Sequence, residues 1–140
     1  MSAAPAGGVA APQRISTPLT DAYWSAADQG TLLVQLCADC ERAQLYPGAL
    51  CRGCWSTSLR WCEASGVGTV WTFTVAELPG HPAWRSLTPY CIAIIELDEG
   101  PRLLTNVVGC DPYDVHVGQR VRLLEAPAAG DEPPLRFTPC

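Results

Sequence analysis

The sequence predicts a mainly β protein in which a short N-terminal helix leads into a zinc ribbon and then into a small barrel of five or six strands. Three observations predict it. Cys37, Cys40, Cys51 and Cys54 stand in CADCERAQLYPGALCRGC as two CxxC pairs ten residues apart, the spacing of a metal ribbon. The residues after them form short apolar runs divided by glycine and proline turns, as in an antiparallel barrel. Helix signals gather in one short segment near the N-terminus.

Residues 1–18 are rich in alanine, glycine and proline, with Arg14 as their only charge and no apolar period. They are expected to form a flexible arm, or a strap lying on a partner. Residues 19–30 hold the helix, capped by Thr20 or Asp21, running to about Asp28 and ended by Gly30. It carries Tyr23 and Trp24, which so short a helix cannot bury alone, so they pack on the ribbon or dock onto another subunit.

Residues 31–58 are the ribbon. Thr31 to Leu36 reads as a strand feeding the first knuckle, Pro47 and Gly48 supply the turn between the pairs, and Gly53 permits a positive φ in the second knuckle. Four thiolates close a tetrahedral site with no position open to water or substrate, so one structural zinc is expected. Iron in a rubredoxin-like site and a redox-active dithiol are the alternatives.

Residues 59–140 supply the barrel. Leu59 to Glu63 leaves the ribbon, and Gly66 and Gly68 mark a bend. VWTFTVAE then alternates, placing Trp71, Phe73 and Val75 on one face and Thr72 and Thr74 on the other. The proline-rich loop from Pro79 to Pro89 leads to YCIAIIEL, a nearly continuous apolar strand that DEGP turns into RLLTNVVG as a hairpin. In QRVRLLEA, Val121 and Leu123 alternate with Arg120 and Arg122, and LRFTP reads as a last edge strand. An OB-fold suits the count and length, although spacing alone does not separate it from an SH3-like barrel.

Composition narrows the function. The nine basic residues are all arginine and the formal charge is −5. Four thiolates around a divalent zinc take it to about −7, which opposes phosphate backbones and weighs against the single-stranded nucleic-acid binding that an OB-fold otherwise invites. No basic and apolar leader and no apolar run long enough to cross a bilayer is visible, so a reducing cytoplasm is expected and no membrane partner. Cys62 and Cys91 lie in apolar runs as small core residues, Cys110 has no partner at ligand spacing, and the terminal Cys140 is expected to be exposed.

Several segments together, GTLLVQLCADC, CRGC, WCEASGVGTVWTFT, PYCIAIIELDEGPRLLTNVVG, VGQRVRL and PLRFTP, resemble the family of domains of unknown function numbered thirty-five. The resemblance runs in order from about Asp21 to Pro139. It implies a rubredoxin-like zinc ribbon joined to an OB-fold, with Cys37, Cys40, Cys51 and Cys54 as the zinc ligands. It also implies a non-catalytic but required accessory subunit in acyl-CoA metabolism. The partner is then a thiolase-like condensing enzyme or aldolase, as in lipid or steroid side-chain degradation, or a MaoC-type hydratase, and it carries the catalytic residues. Glu41 is a departure, standing where many relatives have glycine after the second cysteine.

Read without the resemblance, the residues agree with that role. The chain has no GxSxG, HExxH or phosphate loop. Asp98 and Glu99 read as turn residues before Gly100, and Glu96 as a solvated strand position, in preference to an acid/base pair. The loop from Pro79 to Pro89 sets His81, Trp84 and Arg85 together. With Tyr23, Trp24 and Tyr90 they are candidates for contact with a partner or a substrate channel.

Overall fold

A computed structural model describes residues 9–125 and 132–140. The start of the expected arm and Ala126, the last residue of QRVRLLEA, lie outside the described residues. Helix α1 spans Asp21–Asp28 and ends at Gly30, whose φ of 79° is the left-handed conformation that glycine adopts without strain. Thr20 occupies the cap position, but its hydroxyl accepts from the Thr17 amide at 2.9 Å and not from the helix. Tyr23 and Ala27 are buried.

Three strands make the ribbon sheet, in the order β2, β1, β3: β1 is Leu33–Cys37, β2 is Ala43–Gln44 and β3 is Leu59–Glu63, and both pairings are antiparallel. The strand that leaves the ribbon therefore completes the ribbon's own sheet. The chain then closes a five-stranded barrel in the order β4, β5, β6, β8, β7. These strands are β4 (Val67–Ala76), β5 (Tyr90–Leu97), β6 (Arg102–Val107), β7 (Arg120–Leu123) and β8 (Arg136–Pro139). The β5–β6 hairpin forms as the DEGP turn predicts, pairing Glu96 with Arg102 and Cys91 with Val107. A 3₁₀ segment, Pro82–Leu87, occupies the loop expected between β4 and β5.

Two expectations are corrected. Trp71 does not share a face with Phe73 and Val75, because the β4–β5 register shifts between Val70 and Thr72. That bulge turns Val70 inward opposite Ile95 and leaves Trp71 half exposed, with the Arg102 guanidinium 3.9 Å from its ring centroid. LRFTP is not an edge strand. β8 lies between β6 and β7, parallel to the first and antiparallel to the second, and Phe137 on it is fully buried. A closed barrel has no edge, and this short strand is what closes it.

Helix, ribbon and barrel share one core: Tyr23, Ala27, Leu32 and Val34 lie in the same buried cluster as Val70, Ile95, Val121 and Phe137. Among the described residues no helix is long and apolar enough to cross a membrane. Phe137→Ala is expected to lower unfolding stability by about 3–5 kcal/mol, the cost of truncating an aromatic in a closed core. Urea denaturation of the zinc-loaded chain measures it, and a change near that of a surface substitution contradicts the closing role of β8.

Candidate metal centre and adjoining cavity

The two knuckles are built on one plan. In the first, the Glu41 amide donates to the Cys37 carbonyl at 3.0 Å; in the second, the Trp55 amide donates to the Cys51 carbonyl at 2.9 Å. Each turn needs a left-handed residue immediately after its second cysteine, and Glu41 (φ 60°) and Trp55 (φ 66°) take that conformation. An L residue in that conformation costs about 1–2 kcal/mol, which glycine at position 41 would avoid. Gly53 serves differently from expectation. Its φ is not positive, and its value is room, since a Cβ there would stand 2.9 Å from Nη1 of Arg42.

The hairpin between the knuckles is braced from inside. Gln35 and Gln44 are buried, and the Gln44 amide donates to Oε1 of Gln35 at 2.9 Å. Gln35 also bonds both backbone groups of Gly48, while Oε1 of Gln44 accepts from the Arg52 amide. The bends fall at Leu45 and Tyr46 and at Ala49 and Leu50, on either side of Pro47 and Gly48 and not at them as expected, and the two glutamines hold the connection. Neither stood out in the sequence, where two polar residues in a loop-rich ribbon carry no burial signal.

The four sulfurs lie within 4.8 Å of one another, with Cys37 to Cys54 at 3.6 Å and Cys40 to Cys51 at 3.5 Å. A tetrahedron with metal–sulfur bonds of about 2.3 Å has edges of about 3.8 Å, so the donor set fits one zinc ion. Cys37 and Cys51 are buried and the other two ligands exposed. Thiol acidity follows the backbone. The Cys54 and Gly53 amides hold the Cys51 thiol down at about 6, and the Cys40 amide lowers Cys37. At Cys54 the Ser56 amide pulls down, yet burial and the three neighbouring sulfurs push the thiol up to about 12. Four thiolates this close need a divalent cation to neutralise them. Zinc there would pin the knuckles and supply no reactive position.

The remaining candidates resolve as follows. Cys91 is buried in the core, and desolvation raises its thiol, as it does that of Cys110, the opposite of an activated nucleophile. Cys62 packs partly buried against the core, and Cys140 is exposed. Glu96 pairs with Arg102 at 3.0 Å, and Glu99 accepts from the Ser65 amide at 2.6 Å. Arg120 grips both carboxylate oxygens of Asp98, bonding that holds this carboxyl below its usual range.

A cavity of 480 Å³ lies where α1, the ribbon hairpin, the 3₁₀ segment and the outer side of β5 and β6 meet. Tyr23, Trp24, Trp84 and Tyr90 line it, so four of the six contact candidates converge there. Tyr23 is otherwise enclosed, and burial pushes its hydroxyl pKa well above the ordinary value. His81 stands behind the wall, with Nδ1 accepting from the Ala83 amide at 3.2 Å and its ring 5.6 Å from that of Trp84. Arg85 is exposed on the 3₁₀ segment and does not line the cavity. Tyr46, from the ribbon hairpin, and Leu104, from β6, were not singled out in the sequence although both line it. The Tyr46 hydroxyl accepts from the Leu104 amide at 2.9 Å, a contact across 58 residues that no local pattern announces.

Three outcomes follow from the metal geometry. Cys51→Ser removes a buried ligand, so zinc content should fall below one per chain and the ribbon should lose its fold, read by metal analysis and circular dichroism. Acid should act in the same direction: the Cys51 thiolate is favoured in the fold, so its contribution is present above the unfolded thiol range and is lost as pH falls through its folded pKa. Glu41→Gly relieves the left-handed residue and should raise stability by about 1 kcal/mol with zinc retained, measured by thermal unfolding.

Residues 24–60 match the rubredoxin-like zinc ribbon domain of ChsH2, and residues 61–124 match the C-terminal OB-fold domain of ChsH2. The chain is 41% identical over 104 residues to a probable enoyl-CoA hydratase alpha subunit of Thermomonospora curvata, a match covering 74% of this chain and 32% of that protein. It is 34% identical over 86 residues to a DUF35 domain-containing scaffold protein of Methanocaldococcus jannaschii, covering 61% of this chain and 60% of the other. The chain therefore spans about a third of the first relative and less than two thirds of the second. Among solved structures, a chain of the Ltp2-ChsH2(DUF35) aldolase superposes with a TM-score of 0.77 at 35% identity, over 91% of this chain and 98% of that one. With both domain matches in order and this superposition over nearly the whole of both chains, the chain belongs to the family of domains of unknown function numbered thirty-five, DUF35.

Proposed function

We propose that the chain is a non-catalytic accessory subunit that binds and supports an enzyme acting on acyl-CoA esters, in first place a thiolase-like aldolase or condensing enzyme. One observation carries the reading: the near end-to-end likeness to a chain of the Ltp2-ChsH2(DUF35) aldolase. The metal chemistry is consistent with it, because a filled four-thiolate centre stabilises a scaffold and leaves no coordination site for substrate. A second reading, partnership with a MaoC-type hydratase, is favoured by the hydratase alpha subunit name of the Thermomonospora relative. We place the assembly in the cytoplasm, where four ligand thiols stay reduced.

Co-expression with a thiolase-like protein and, separately, with a MaoC-type protein from the same genome tests the reading. A stable heteromer with the first, seen by size exclusion with mass detection, is the expected result. A heteromer with the second alone selects the hydratase reading, and a chain that stays free of both overturns the proposal.

A further inference from the structure

The cavity has a chemistry that the metal centre and the proposed partnership do not use. Its walls are mainly aromatic and aliphatic, with Trp24, Tyr46, Trp84, Leu87, Ile92 and Leu104 among them. Leu104 and Tyr46 are 59% and 41% exposed, so the cavity opens to solvent at the junction of ribbon and barrel. β5 explains why an apolar surface stands here. In an antiparallel barrel the outward positions are ordinarily polar, yet β5 presents Tyr90, Ile92 and Ile94 outward, opposite the buried Cys91, Ala93 and Ile95. A volume of 480 Å³ is that of a small-molecule site.

The polar groups on the wall define what it accepts. Thr105 Oγ1 donates to the Leu135 carbonyl, and Nδ2 of Asn106 donates to the Cys91 carbonyl. The Tyr46 and Tyr90 hydroxyls already accept from the Leu104 and Gly80 amides. The basic residue of the lining, Arg136, is paired with Glu132 at 2.7 Å. Among the described lining residues the one cation is thus already charge-paired, and the chain as a whole is acidic, so a phosphate is disfavoured there. Among the described residues two buried donors of the wall, Trp84 Nε1 and Arg136 Nε, have no hydrogen-bond partner. Both are shielded from solvent, so an acceptor reaches them only as the side chains turn toward the cavity, and a neutral carbonyl oxygen can bond there without adding charge beside Glu132.

From this geometry we infer that the cavity binds a neutral, largely hydrocarbon group bearing a carbonyl, and that it excludes the phosphorylated nucleotide of a CoA ester. The inference rests on the acyl-CoA reading in one respect: the ligand in the assembly is then the acyl body, whose shape this chain helps to select. Binding itself is a property of the chain alone.

The test uses the zinc-loaded chain without a partner. Nile red should bind with a fluorescence increase, methyl decanoate should displace it, and free CoA should not. Leu104→Asp places a carboxylate at the exposed mouth and should weaken Nile red at least tenfold; Trp71→Ala, an exposed residue outside the cavity, should leave it unchanged. If Leu104→Asp lowers zinc content or the unfolding temperature, Leu87→Asp, a lining residue on the 3₁₀ segment, takes its place and should give the same loss. Displacement by CoA and not by methyl decanoate overturns the inference, as does binding that both cavity variants leave intact. Because no heteromer enters the measurement, a chain that binds the dye but joins no partner refutes the proposed function and not the cavity, and the converse also holds.

Discussion

Four sulfurs within 4.8 Å of one another are an arrangement that thiolates reach only around a cation, and much of the molecule follows from that constraint. The ribbon sheet has three strands, one of them two residues long, too little to bury a core of its own. Metal binding is folding free energy for such a unit. With the knuckles pinned, the hairpin between them becomes a rigid arm, stiffened by the Gln35 and Gln44 bonds, and it carries Tyr46 onto the barrel.

Tyr46 links the two halves. Its hydroxyl satisfies a β6 amide beyond the reach of the β6–β8 pairing, which involves Asn106 and Val107, and its ring meets Tyr23 edge on at 6.3 Å. Tyr23 in turn lies in the core that barrel and ribbon share. The aromatic pair on α1 thus finds its cover within the chain: Tyr23 is enclosed, and Trp24 packs beside it with Arg14 of the N-terminal segment stacked 4.9 Å from its ring. Arg14 also pairs with Asp28, so the described part of the arm lies against the helix. Each contact is small alone, but together they set the ribbon at a fixed place on the barrel, and the cavity is the space left between them.

The parts legible in the sequence were those with local signals. CxxC spacing marked the ligands, period-two alternation marked β7, and DEGP marked the β5–β6 hairpin. Trp71 was misplaced because alternation assumes an uninterrupted ladder, and a bulge adds one residue without any sign in VWTFT. The closing role of β8 was hidden for a different reason. A four-residue strand at the C-terminus looks peripheral until its two neighbours, one of them parallel and about 30 residues upstream, are brought together. Glu41 was visible as an oddity, but the backbone angle that makes it one was not.

Division of labour within the chain follows from these contacts. The metal centre is closed and its buried ligands face the ribbon, so it acts on the cavity only through structure: thiolates hold the knuckles, knuckles hold the hairpin, and the hairpin holds Tyr46 against Leu104. A substitution at a ligand would reach the cavity through every link, whereas one at Leu104 would reach none of the links behind it. The ligand cysteines are thus constrained by foldability, whereas the cavity walls carry none of the links that hold the metal centre. Residues of the cavity wall on β5, β6 and the 3₁₀ segment can therefore change while the metal site that holds the ribbon stays the same.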